Sequence, residues 1–391
     1  MRQPAKSMFL PRRDFLRQSA LLGLAAGTGA GVIGDARAAA VENVVAHGAK
    51  GDGMTNDTAA FRSAIAAVSA GGIVRVPMGT YLLNANPDYC VSLKSNMKLE
   101  LQPGAKLKAM RSTLERHFLI WIANAQNVEV YGLGTGDEIG EIIGERDEHE
   151  VEVGEEGRGI QIVGSANITI SNLRISKFRG DGILLGRLLI DDETVNSAYV
   201  TVSGVVCTNN RRQGMSITGA DHVEVSDSEF SWTSGTLPQA GIDIEPRNGN
   251  SVSDVLIRRC VLANNAGNGI EFNSNSDAGF VISGVEVRNN DIMLNGGYGI
   301  FSNHVDGSWL VQNRIEENDL KGVRIAALCR DHAIGQNTFV NNSLSTVPPG
   351  SASDCIQEEG HQSGITGRHI EVVAGAVNIN LNLNTYCPAP A

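Results

Sequence analysis

The chain has 391 residues and a net charge of −11; 42% are hydrophobic and 19% charged, with 45 glycines and 11 prolines. That apolar fraction excludes a disordered chain, and many glycines with few prolines fit an ordered protein rich in tight turns. The acidic balance excludes binding to nucleic acid or an anionic membrane through bulk charge.

Residues 1–40 read as an address. Arg12-Arg13 precedes Phe15-Leu16, a small-residue apolar run extends from Leu21 to Ile33, and Ala36-Arg37-Ala38 supplies a small-x-small cleavage pattern. The run is too short to span a bilayer, so no stable membrane insertion is expected. The segment resembles a twin-arginine export signal. That resemblance implies the twin-arginine machinery as a partner, a periplasmic or secreted location, and one mature domain over residues 41–391. Six basic against two acidic residues in the first forty leave the remainder at −15. Such a surface does not attract an acidic polymer at long range, so that substrate would need local arginines or a bridging metal.

The next stretch, HGAKGDGMTNDTAAFRSAIAAVSAGGIVRVPMGTYLL, predicts a turn, a helix over Ala59 to Val68 capped by Asn56 or Asp57, and a strand. An amphipathic helix there would cover the open end of a strand stack.

From about residue 120 one unit repeats: a glycine, an aliphatic residue, a variable position, a residue that is usually apolar, and a second variable position. It occurs at Gly159, Gly182, Gly214, Gly241, Gly269, Gly299 and Gly322, at intervals of 23, 32, 27, 28, 30 and 23 residues. Alternating strands such as NITISNL, HVEVSDS and GVEVRNN lie between, and asparagine pairs recur at Asn209-Asn210, Asn264-Asn265, Asn289-Asn290 and Asn341-Asn342. A period in the twenties with several short strands is a solenoid signature. Leucine-rich repeats would show a leucine consensus and a propeller longer repeats, so the expected class is all-β, a parallel β-helix with a short N-terminal capping helix. The cap should occupy about 41–85, the coils about 86–345, and further coils or a second cap 346–391. Of the six cysteines none forms a CxxC pair; Cys207 and Cys260 are expected buried and free, and Cys355 is paired with Cys387 as a guess for the tail.

Gly48-Ala49-Lys50-Gly51-Asp52-Gly53, Asn56-Asp57-Thr58 and Pro77-Met78-Gly79-Thr80-Tyr81 resemble the opening of the pectate-lyase superfamily, with its polygalacturonase and rhamnogalacturonase relatives. With the repeat, the resemblance covers most of residues 41–345. It implies a right-handed parallel β-helix acting on polysaccharides, although the superfamily also holds lyases, epimerases and phage tailspikes. Polygalacturonases carry an Asn-Thr-Asp stretch, an Asp-Asp pair, a Gly-His-Gly and an Arg-Ile-Lys. Here Gly180-Asp181-Gly182 matches only the end of the first, and Arg324-Ile325 is followed by Ala326 in place of lysine. Ordinary pectin hydrolysis is therefore not expected.

Aligning the repeats on their glycines stacks Gln161, Leu184, Ser216, Asp243, Glu271, Phe301 and Arg324 in one row, and Val163, Gly186, Thr218, Glu245, Asn273, Asn303 and Ala326 in another. Aligned residues on neighbouring parallel strands lie roughly 4.8 Å apart, and same-face neighbours along a strand roughly 6.5–7 Å. Asp243, Glu245 and Glu271 should form an acidic triangle on an outward face. Glycosidic cleavage needs one protonated and one ionised carboxyl, and crowding separates carboxyl pKa values. Asp243 and Glu245 are expected as the pair, with Glu271 as modulator or alternate acid. Arg212, Gln213, Trp232, Arg247, Asn273, Asn303, His304 and Asp181 are the expected substrate contacts. The leading reading is a glycoside hydrolase without cofactor. The runner-up is a lyase or epimerase on uronic acids, with the same three acids holding calcium and Arg212 or Arg247 abstracting the proton. The third is a carbohydrate-binding β-helix without catalysis.

Overall fold

Each repeat folds into one coil of short strands, and within the stack a strand pairs in parallel with its counterparts one coil before and one coil after. The strand Gln213–Ile217, for example, lies between Asp181–Ile190 and Ile242–Ile244. The computed structural model describes residues 39–148, 155–246, 250–274, 281–343, 356–361 and 369–387. Residues 1–38 of the export-type segment, Arg247 and Cys355 lie outside these. Residues 39–391 make up one unit, an all-β right-handed parallel β-helix, the class expected from the repeat.

The core is a column of aliphatic side chains. Ile160, Ile183, Met215, Ile242, Ile270 and Ile300, the residues that follow the repeat glycines, are aligned by register and fully buried. Each contributes about 1.5–3 kcal/mol relative to exposure. The glycines before them sit where the next coil passes too closely for a side chain: a Cβ on Gly241 would stand 2.7 Å from the Gly269 carbonyl oxygen.

The asparagine pairs form the corners. The first member turns the chain with a left-handed φ, 57° at Asn209, 58° at Asn264 and 57° at Asn289. The second points inward and joins a ladder. Asn265 donates to Asn295 at 2.9 Å, Asn295 to Asn318 at 2.9 Å and Asn318 to Asn342 at 2.8 Å. A parallel ladder runs Asn290, Asn313, Asn337 and Asn384, each step 3.0 Å. Cys260 belongs to this second ladder, its N–H donating to Asn290 at 2.8 Å. Cys207 and Cys260 are buried and free, as are Cys90 and Cys329. These amides also satisfy backbone groups that burial would otherwise leave unpaired.

The one α-helix among the described residues spans Thr58–Ala67 and buries Ala60, Phe61, Ala64 and Ile65 against the end of the stack. Asp57 is its N-cap residue but turns its carboxylate to the preceding turn, accepting the N–H groups of Lys50 and Gly51, while Asn56 accepts the Thr58 N–H at 3.1 Å.

One coil departs from the repeat. Asp181–Ile190 and Glu193–Ser203 run beyond the stack as an antiparallel hairpin, with Arg187 opposite Asn196 and a two-residue turn at Asp191-Asp192. Both turn residues have positive φ, the geometry that matches strand twist in a two-residue hairpin. This hairpin accounts for the longest repeat interval, the 32 residues from Gly182 to Gly214.

Candidate active site

The strand following each repeat glycine lies on one sheet, and its outward row reads Trp121, Gln161, Leu184, Ser216, Asp243, Glu271, Phe301, Arg324 and Glu371, each in register with the next. Glu245 leaves the end of Ile242–Ile244, where its N–H donates to the Ile217 carbonyl at 3.0 Å.

Asp243, Glu245 and Glu271 are brought together, but at different depths. Asp243 is 1% exposed, Glu271 8%, and the Glu245 side chain 26%. Gln213 donates to Asp243 Oδ2 at 2.9 Å, and Oδ1 is buried with no hydrogen-bond partner among the described residues. Burial, followed by the charges of Glu271 and Glu245, pushes the Asp243 carboxyl well above its ordinary range, against the pull of Arg212. The Glu271 carboxyl is also raised, by burial first and by Glu245. Opposing that shift, Asn268 donates to Glu271 Oε2 at 2.8 Å and Asn273 to Oε1 at 3.4 Å. Asn303 continues the amide ladder, donating to Asn273 at 3.0 Å. The site therefore holds two buried carboxyls with raised pKa values beside a more accessible one facing Arg212 at 3.7 Å.

Two expected substrate contacts are interior. Asp181 and Gln213 are 0% exposed. Each precedes its repeat glycine and is buried beneath the outer face by the groups it pairs with, Gln213 by Asp243 and Asp181 by Arg158 and Arg212. Gln213 is a positioning residue: its amide oxygen accepts the Ala240 N–H at 2.9 Å while its nitrogen holds Asp243. Asp181 is clasped by Arg212 at 3.3 Å and Arg158 at 3.7 Å. Trp232 is 56% exposed but takes a left-handed φ at a corner of the coil, not on the sheet's outward row. His304 occupies another left-handed corner, half-buried, after Asn303. Trp309 lies on a different strand stack, opposite Glu286. Arg247 lies outside the described residues.

On the N-terminal side of the carboxylates a cavity of about 320 Å3 opens on the same face, lined by Arg116, Arg158, Arg187, Arg212, Glu155 and Glu156 among others. Arg158 and Arg187 were not singled out as contacts by the repeat alignment, although Arg158 precedes its glycine as Asp181 does. On the C-terminal side Tyr298 and Phe301 stack at 5.7 Å, and the Arg324 guanidinium lies 5.5 Å and 5.8 Å from their ring centres. Arg324 also donates to the Tyr298 hydroxyl at 3.0 Å and pairs with Glu371 at 3.4 Å.

The three acids do not form a compact metal-ligand cluster. Among the described residues, the group of three whose ligand atoms all lie within 4.8 Å of one another is Asp221, His222 and Asp254, on a different strand stack.

Residues 156–301 and 251–385 match the family described as the right-handed beta helix region, and residues 41–99 match rhamnogalacturonase A/epimerase, pectate lyase-like. Two uncharacterized proteins of Bacillus subtilis (strain 168) are similar. YclG is 29% identical over 52% of this chain, and the prophage-derived YorA 28% over 72%. The chain spans 37% and 55% of their respective lengths. Among solved structures, the A-module of a mannuronan C-5 epimerase from Azotobacter vinelandii aligns at TM-score 0.51 and 15% identity, over 89% of this chain and 97% of that one. An exopolygalacturonase from Thermotoga maritima aligns at 0.54 and 14%, over 78% and 87%. The Dettilon tailspike protein aligns at 0.56 and 16%, over 76% and 55%. At these identities the likeness establishes the fold alone.

Proposed function

The chain belongs to the right-handed β-helix family, and from that premise we propose that it is an exported polysaccharide-acting enzyme, a glycoside hydrolase whose reacting centre is Glu271 and Glu245 above Asp243. The carrying observation is the graded burial of the three carboxyls. Glu271, raised by burial and by Glu245, supplies the proton to the leaving glycosidic oxygen. Glu245, at the mouth and facing Arg212, takes the second role of this chemistry, base toward water or nucleophile. Asp243 is too deep to meet a sugar. Held by Gln213, it fills the floor with a neutral carboxyl, so that a second negative charge does not oppose Glu245. This ordering exchanges the roles that the sequence suggested for Asp243 and Glu271.

A calcium-dependent lyase fits these residues less well. Calcium takes six to eight oxygens, whereas the three acids do not converge as ligands within 4.8 Å of one another. Export rests on the twin-arginine-type segment.

The test follows reducing ends and unsaturated-uronate absorbance together, with and without chelator, on neutral and uronate-rich polysaccharides. Chelator-insensitive reducing ends without absorbance are expected, and Glu271→Gln and Glu245→Gln should each lower turnover by roughly 10²–10⁴-fold. Full turnover in the double variant, or chelator-sensitive absorbance, overturns the reading.

A further inference from the structure

The cavity beside the carboxylates concentrates arginines in a chain that is acidic as a whole. In a chain of net charge −11, four guanidiniums, those of Arg116, Arg158, Arg187 and Arg212, meet here with two lining carboxylates, Glu155 and Glu156. Asp181, buried beneath, faces two of the four. With Asp181 counted, four guanidiniums face three carboxylates, and Glu245, 3.7 Å from Arg212, makes a fourth, so the arginines are balanced in formal charge and concentrated in one place.

Its donors are incompletely used. Arg158 is 9% exposed and Arg212 7%, yet the Nε of each makes no hydrogen bond among the described residues, the nearest carboxylate oxygens standing at 3.7 and 3.5 Å. Arg187, on the hairpin that departs from the repeat, donates to Thr194 at 3.1 Å. Arg158 is held below the ordinary arginine range by burial, which the attractions of Asp181 and Glu156 oppose and the weaker repulsions of Arg116 and Arg212 assist. The floor is open because Gly186 lies in the row that carries Thr218 and Glu245: a Cβ there would stand 2.9 Å from the Thr218 hydroxyl. The cavity also shares Arg212 with Glu245, so its occupant would be the neighbour of the reacting sugar.

We propose that this cavity is a binding subsite for an anionic sugar residue, its oxyanion held by the Arg116, Arg158, Arg187 and Arg212 guanidiniums next to the reacting centre. A uronate carboxylate and a sulfate ester share this chemistry, since both accept the paired N–H donors of arginine. The subsite rests on the reading of Glu245 and Glu271 as the reacting centre.

The experiment measures binding to the full-length Glu271→Gln protein by calorimetry, so that it does not depend on turnover. The probes are a galacturonate tetramer, a mannuronate tetramer, a sulfated galactan tetramer and a neutral galactan tetramer. At least one charged tetramer should bind, the preference between carboxylate and sulfate identifying the source, and the neutral one at least tenfold more weakly. Adding Arg116→Ala with Arg187→Ala should weaken the charged probe roughly tenfold or more, each lost contact being a charge-assisted hydrogen bond, and should reduce its salt dependence. These two are chosen because Arg116 is exposed and Arg187 half-exposed, whereas Arg158 and Arg212 hold a buried carboxylate. Equal affinity for charged and neutral tetramers, or unchanged charged-probe affinity in the double arginine variant, overturns the subsite even if polysaccharide is cleaved. Charge-selective binding with no cleavage of any substrate by the wild-type protein retains the subsite and removes the hydrolase reading.

Discussion

The two flanks of the carboxylate triangle are built on the same sheet and the same outward row, yet they have different chemistry. Toward the N-terminus lies a cavity walled by guanidiniums; toward the C-terminus, two stacked rings lie beside one guanidinium. The difference follows from how far each flank departs from the repeat. Tyr298, Phe301 and Arg324 occupy ordinary positions of consecutive coils, and a regular solenoid face offers one side chain per row every 4.8 Å or so, which makes a platform. The cavity needs a wall standing above that face, which the hairpin from Arg187 to Asn196 provides. Regular repeats give surfaces; an insertion gives depth.

The largest effect should come from the foundation of the arginine flank. Asp181 is fully buried between Arg158 and Arg212. Removing one partner of a buried ion pair leaves its counter-charge uncompensated, at a cost of about 3–5 kcal/mol. Asp181→Asn should lower the urea midpoint accordingly, whereas Tyr298→Ala on the other flank should cost much less. Equal losses on the two flanks would show that the arginine cluster is not held by charge.

A second effect is a matter of pH. The folded Asp243 carboxyl lies above its unfolded value, so the native state binds more protons than the unfolded state between the two. Its contribution to stability is therefore favourable at low pH and is lost as pH rises from the ordinary carboxylate range through the raised value. Asp243→Asn should flatten that part of the stability–pH profile while leaving Arg212 its contacts with Asp181, Glu155 and Glu245. An unchanged profile would mean that Asp243 titrates normally and that the floor is charged.

The same contrast explains which features could be read before the fold was known. The acidic triangle and the row leading to Phe301 and Arg324 were legible because they follow the repeat: glycine alignment gives register, and register gives neighbours. Depth was not legible. Asp181 and Gln213 lie at the starts of their strands, covered by the side chains they pair with, and one-dimensional stacking does not distinguish a covered start from an exposed one. The arginine cavity was invisible for two further reasons. Arg187 lies in a hairpin that appeared only as a long interval, and Arg116 opens a coil that has Leu119 where later coils carry glycine, so the alignment never reached it. Trp232 stands at a left-handed corner, a position that alignment on the glycines does not place.

The smallest expected effect bears most directly on the comparison. Phe301 follows Glu271 in the row, stacked on Tyr298 near Arg324. Covering about half of an aromatic face with a sugar is worth about 1 kcal/mol, so Phe301→Ala should weaken oligosaccharide binding about fivefold. Because an apolar face does not discriminate charge, the loss should be the same for neutral and charged tetramers and insensitive to salt, opposite to the signature expected for the arginine cavity. Arg324 should stay in place in this variant, since its bond to the Tyr298 hydroxyl and its pairing with Glu371 do not involve the lost ring. A loss confined to charged tetramers would mean that Arg324, and not the ring, holds the sugar. Both flanks would then be anion sites, and the substrate would carry negative charge on either side of the reacting bond.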